Sequence, residues 1–294
     1  MKTETNPMRG MAFCLLSYFF ISLIGLFEKS ISHDISIPVI MFFQSTVCVL
    51  LSVFSLFKNN IKSLKPLQPL DYLIRISSGA ACYVTLFYII RFIPISEAML
   101  YQYSASLWIP FIMSIWLKVR MRNALWIGIL VGFAGLILIL KPNQSMLNVV
   151  SLVGILCGIF QAISVVAVRK LSTEPRSRVM FYNFFVVMIV SSFFAIKYWT
   201  PLNLSDFLLL CCVGITTYIG QTIFSYACNF AHPTTLAPLC YTSILYSGLI
   251  GWVVWRELPD TQAEIGIVLV VLGCVLTVLM NRKAGKVPAE LVVT

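Results

Sequence analysis

Charge is what this chain has least of. Only 11% of its 294 residues are Asp, Glu, Lys or Arg, against 59% hydrophobic, and its mean hydropathy is +0.92. A water-soluble domain needs far more charged surface, so the chain reads as an integral membrane protein whose main partner is the lipid bilayer. Acids are the scarcer sign, 11 against 21 basic residues, and none lies in the middle of an apolar run. That distribution argues against a buried carboxylate proton relay. Histidine is nearly absent: His33 and His232 have no neighbouring Cys or second His, which excludes the usual metal-ligand spacings. The nine cysteines all fall inside apolar runs with no CxxC pair, so they read as small packing residues and not as a disulfide framework. There is no glycine-lysine phosphate loop and no polar stretch long enough for a nucleotide-hydrolysing domain. No cofactor is implied, and any transport must run on a gradient or on exchange.

What is present is long apolar runs. Bounded by charges, prolines or polar clusters, ten of them reach the length needed to cross a bilayer, at 10–27, 36–57, 72–91, 96–117, 123–140, 147–168, 178–197, 205–229, 234–255 and 263–280. The tightest reversals follow the third and eighth spans, through Arg91-Phe92-Ile93-Pro94 and Asn229-Phe230-Ala231-His232-Pro233, where proline breaks the helix. With the amino terminus in the cytoplasm, 16 of the 21 Lys and Arg residues share that side, Arg75 among them, and five (Lys29, Arg91, Lys141, Lys197 and Arg256) lie opposite. This positive-inside bias predicts that both termini are cytoplasmic. It also accounts for the net charge of +10, since the basic residues lie between apolar runs and form no patch suited to nucleic acid. The first span is not read as a cleaved signal peptide, because no small-x-small site follows it and the sixth span, from Gly154 to Arg169-Lys170, is its counterpart.

The chain repeats itself. Tyr88, Phe92, Tyr103, Gly128 and Gly135 recur 138 residues later as Tyr226, Phe230, Tyr241, Gly266 and Gly273, and Met41-Phe42-Phe43-Gln44 is echoed weakly by Met180-Phe181-Tyr182-Asn183. The expected units are 1–143 and 144–294. Five spans per unit is an odd number, so the second unit enters the membrane upside down and the two form an inverted repeat. Such halves can rock about a central site near the bilayer midplane.

These residues resemble the EamA branch of the drug/metabolite transporter superfamily. The resemblance runs through Ile93-Pro94-Ile95-Ser96-Glu97-Ala98 and the stretch from Ala237 to Asp260, where a Pro and a Tyr open the ninth span and Glu257 and Pro259 end it. Arg256 stands where the family usually has glycine before that Glu, and Lys118-Val119-Arg120 stands where it usually has Gly-Glu-Arg. The resemblance implies a ten-helix inner-membrane carrier of small metabolites, amino acids or S-adenosylmethionine among them, with a central cavity lined by the first, third, fourth, sixth, eighth and ninth spans.

Candidate site residues follow from the cost of polar groups in lipid. Gln44, Gln102, Gln161, Asn183 and Gln221 lie within spans, and each amide must face another helix or a wet cavity. Gln44 and Asn183 are equivalent across the repeat. Tyr83, Tyr103 and Tyr241 are the aromatic candidates, the last two repeat-equivalent and about two turns into their spans, suited to stacking or cation–π contact with a planar or weakly cationic cargo. Arg75, Arg91 and Glu97 are placed at span ends. Glu97 reads first as an acid in the opening turn of a helix capped by Ser96, with coupling or gating as its sharper role, shared with Glu257. Gly128, Gly132, Gly135, Gly154 and Gly158, and Gly248 with Gly251, mark expected close helix approaches, with homodimerisation as the alternative use.

The reading is a secondary, ATP-independent transporter of a small organic metabolite in the bacterial inner membrane, its cargo an amino acid or an amino-acid-like or nucleoside-like compound such as S-adenosylmethionine. The competing readings are a multidrug exporter, a sensor or assembly subunit, and a membrane-embedded enzyme for lipid-linked substrates, for which Glu257, Asp260 and Glu264 form the one acid cluster.

Overall fold

The computed structural model describes residues 7–32, 34–58, 65, 67–90, 92, 93, 95–118, 123–140, 149–231, 233–256 and 261–284. Every regular element among them is helical. The first half comprises α1 (Pro7–Ser30), α2 (Ile37–Lys58), α3 (Pro69–Ile90), α4 (Ile95–Tyr103), α5 (Ala105–Trp116) and α6 (Asn123–Leu140). The second comprises α7 (Val149–Lys170), α8 (Arg176–Lys197), α9 (Leu204–Phe230), α10 (Pro233–Leu236), α11 (Thr242–Trp255) and α12 (Thr261–Ala284). Short 3-10 turns follow α7 at Leu171–Thr173 and join α10 to α11 at Ala237–Tyr241. The ten expected spans are all present.

Two of them are not the continuous helices expected. The fourth is divided at Ser104 into α4 and α5, and the ninth into α10, the 3-10 turn and α11. Local chemistry explains both breaks. Ser104 Oγ donates to the Tyr101 carbonyl at 2.6 Å and Ser106 Oγ to the Tyr103 carbonyl at 3.0 Å, while Pro110 has no N–H to offer the Ser106 carbonyl. In the second half, Thr242 Oγ1 donates to Leu239 at 2.6 Å and Ser243 Oγ to Cys240 at 2.8 Å, just past Pro238. Hydroxyls three residues on thus take carbonyls at both breaks.

The packing obeys the repeat. α2 lies on α8 and α6 on α12, while α1 packs on α9 and α11 as α7 packs on α3 and α5. Exchanging the halves therefore returns the same set of neighbours. At the α6–α12 seam the repeated glycines meet reciprocally: a Cβ at Gly135 would lie 2.6 Å from the Gly266 carbonyl oxygen, and one at Gly273 would lie 2.7 Å from that of Gly128. Only glycine lets these backbones touch. Gly154 and Gly158 likewise receive the Tyr101 ring and carbonyl, at 2.6 and 2.7 Å. Gly248 does not pack as expected. A Cβ there would meet nothing within 4 Å among the described residues, and Gly248 shares an exposed apolar face with Leu249, Trp252 and Val253. Such faces, including Phe54, Ile115, Phe193 and Ile196, are what a bilayer solvates.

Candidate functional site

The candidate side chains fall into three groups. The first lies where the broken spans cross. Tyr103 closes α4 and Tyr241 closes the 3-10 turn, so both repeat-equivalent tyrosines sit at the breaks. The Tyr103 hydroxyl pairs with Ser243 Oγ at 2.8 Å, and Ser243 Oγ donates a hydrogen bond to the Cys240 carbonyl. Reciprocally, Tyr241 pairs with Ser106 Oγ, which donates to the Tyr103 carbonyl. Tyr241 has no exposed surface: its ring lies against Gly132 and Phe133 in the central apolar cluster. In this conformation it ties the halves together, whereas Tyr103 is half-buried.

The second group joins α2 to α9. Gln44 Nε2 donates to Thr217 Oγ1 at 2.6 Å, and Thr217 donates onward to the Val213 carbonyl at 2.8 Å. This amide is satisfied within the protein.

The third group, on α3, α7 and α8, is built differently. Asn183 occupies the Gln44 position of the second half, but it faces Gly79 where Gln44 faces Thr217. A Cβ at Gly79 would lie 3.3 Å from Asn183 Oδ1, 3.6 Å from Ser164 Oγ and 3.7 Å from an Arg75 guanidinium nitrogen. Three polar groups from three helices therefore surround one point. Arg75 is not the loop charge expected from the sequence. It is buried at 8% exposure, and its head reaches one turn further along α3 to Gly79. Counting it as a loop charge was wrong because its long stem turns inward among α3, α7 and α8. Asp71, one turn before it, is engaged by Lys170 at 2.9 Å. Ser164 Oγ and Arg75 Nε are buried without a hydrogen-bond partner among the described residues.

Along the same face of α3, Tyr83 is half-buried and Cys82 is buried. Gln161 accepts from Cys82 Sγ at 3.5 Å, and Cys82 and Cys157 are free thiols with sulfurs 3.7 Å apart. Gln102 and Gln221 are half-buried, with no hydrogen bond to either side chain among the described residues. The side chain of Glu97, and Glu257 as a whole, lie outside the described residues.

At one end of the bundle, Glu174 accepts from Arg178 at 2.8 Å and from the backbone N–H of Leu67 at 2.6 Å and Gln68 at 3.2 Å. It thereby caps the start of α3 from the other half. Arg169 donates to the Cys228 carbonyl near the end of α9, and Arg176 lies 3.5 Å over the Tyr226 ring. Among the described residues no group of His, Cys, Asp and Glu is arranged to hold a metal ion.

Sequence reasoning missed Arg75, Ser164, Gly79, Thr217, Ser106 and Ser243. The third span did carry a signal for the third group, in the polar and small positions Arg75, Ser78, Gly79, Cys82 and Tyr83 at helical spacing. The serines carried none, since a hydroxyl in an apolar run usually bonds its own helix.

The family model described as the EamA-like transporter family matches residues 8–141 and 149–279, once per half. The chain is 27% identical over 269 residues to the pseudopaline exporter CntI of Pseudomonas aeruginosa, covering 90% of this chain and 94% of that protein. It is 23% identical over 253 residues to an S-adenosylmethionine uptake transporter of Rickettsia bellii, covering 86% of each. A protein of known crystal structure shares the fold with a TM-score of 0.78 at 18% identity, over 96% of this chain and 99% of its own.

Proposed function

Because the chain belongs to the EamA-like transporter family, a family of carriers and not of enzymes, we propose that it moves a small organic metabolite across a bacterial inner membrane by alternating access, driven by a gradient or by exchange. The cargo is an amino acid, or an amino-acid-like or nucleoside-like compound such as S-adenosylmethionine. The observation that carries this reading is the polar group at Arg75, Ser164 and Asn183, with Gln161 one turn before Ser164 on α7, inside a bundle whose interior is otherwise largely apolar. Relatives that handle pseudopaline and S-adenosylmethionine support a metabolite cargo.

On this reading Tyr83, Gln161 and Asn183 face the cargo, and Gln102 and Gln221 join them as the halves rock. Gln44, Tyr103 and Tyr241 hold contacts that are exchanged during that motion, and Glu97 and Glu257 act in gating or coupling. Both termini are cytoplasmic, and the repeats divide between residues 143 and 144; the distribution of Lys and Arg supports the first statement and the sequence repeat the second.

The test is thermal unfolding of the purified protein in detergent against amino acids, nucleosides and S-adenosylmethionine. A cargo at 100 times its Kd should stabilise the fold by about 2.7 kcal/mol. The shift should shrink in Tyr83→Ala, and a midpoint indifferent to every compound would count against the cargo class.

A further inference from the structure

We propose that Arg75, Ser164 and Asn183 form a carboxylate-binding site, so that the cargo is a small organic acid or zwitterion held by its carboxylate. The inference rests on the carrier reading and names the chemistry of its cargo.

A guanidinium inside a transmembrane bundle is costly unless an anion or a set of acceptors compensates it. Arg75 has no such partner among the described residues: it forms no ion pair, its Nε has no hydrogen bond, and the acid one turn away is held by Lys170. Beside it Ser164, only 1% exposed, has a hydroxyl without a partner, and the Asn183 amide makes no hydrogen bond among the described residues. The three groups are donors or can present donors, and all lie within 3.7 Å of one point. A carboxylate held beside Gly79, within reach of all three side chains, would take two parallel N–H bonds from the guanidinium, with the hydroxyl and the amide N–H as further donors.

The repeat supplies a control inside the same molecule. The positions equivalent to Arg75 and Gly79 are Val213 and Thr217. Val213 is fully buried in an apolar cluster, and the Thr217 hydroxyl fills the space and satisfies Gln44. The same helix contact is thus closed in one half. In the other, glycine leaves room and arginine adds charge. A purely structural contact would need neither change. Arg suits this task better than Lys because its planar fork matches the two carboxylate oxygens.

The experiment compares acids with their carboxamides: acetate with acetamide, and phenylalanine, methionine and histidine with their amides. The thermal midpoint is read in wild type, Arg75→Gln, Arg75→Lys and Gly79→Ser. In wild type at least one acid should raise the midpoint at a concentration tenfold or more below that needed for its amide. Arg75→Gln should erase that difference and Arg75→Lys retain part of it. Gly79→Ser places a hydroxyl against Asn183, as Thr217 does against Gln44, and should fold while losing the preference for acid; it decides the matter if Arg75→Gln does not fold. Equal response to acid and amide in wild type, no response to any acid, or an undiminished acid preference in Arg75→Gln or Gly79→Ser overturns the proposal. Counterflow of the same compounds in proteoliposomes separates the two levels. Acids and amides moving alike would remove the role of Arg75 and leave the carrier standing, whereas no movement of any compound would remove the carrier reading itself.

Discussion

Lys118 and Arg256 end α5 and α11 with φ of 54° and 57°, the two non-glycine residues of positive φ among those described. They are equivalent across the repeat, and they stand where the resemblance places glycine. The left-handed conformation costs a residue with a Cβ roughly 1–2 kcal/mol, part of which glycine returns as chain entropy. Lys118→Gly and Arg256→Gly should therefore each stabilise the protein by about 0.5–1 kcal/mol, seen as a higher unfolding midpoint in detergent. A fall in the midpoint would show that the side chains contribute more than the backbone strain removes. A second residue-scale effect concerns Glu174, whose side chain is fully buried against Arg178 at 8% exposure. Glu174→Ala removes the carboxylate that Arg178 donates to at 2.8 Å and the acceptor of the Leu67 and Gln68 N–H groups. A loss of about 3–5 kcal/mol is expected, measured by denaturation of the purified protein.

At the scale of elements, the repeated glycines put the α6 and α12 backbones directly against each other. Gly135→Val should abolish the folded, monodisperse protein on size exclusion, since its Cβ would meet the Gly266 carbonyl and the Val270 nitrogen. Gly248→Ala, on an open helix face, should leave yield and elution unchanged. If both variants behave alike, the seam is not what the glycines serve. The same contrast shows what composition can reveal. Helix positions were legible because lipid demands about 20 apolar residues per span. The breaks at Ser104 and at the 3-10 turn were not, because they depend on serine and threonine hydroxyls choosing carbonyls three residues back, a choice that single residue types do not announce.

The whole molecule is two copies of one five-span unit, and its candidate site arises where the copies differ. The repeat itself was readable from Tyr103 with Tyr241 and from the paired glycines, since backbone contacts and helix breaks keep their residues in both halves. The candidate site was only partly readable. Gln161, Asn183 and Tyr83 stood out as polar groups in apolar runs, but Arg75 looked like one more inside charge. Nothing local distinguishes a loop arginine near a helix start from one whose stem turns inward; only the packing of α3 against α7 and α8 does. Tyr241 shows the converse: in this conformation a residue type suited to cargo binding is held by the Ser106 hydrogen bond and the Gly132 contact.

The most direct test of the carrier account is counterflow in proteoliposomes without ATP, with a high internal concentration of an unlabelled amino acid, nucleoside or S-adenosylmethionine and a trace of the labelled compound outside. The account predicts that label transiently accumulates above its equilibrium level for at least one compound, and that Arg75→Gln suppresses this. Entry at the rate of protein-free liposomes for every compound would contradict it.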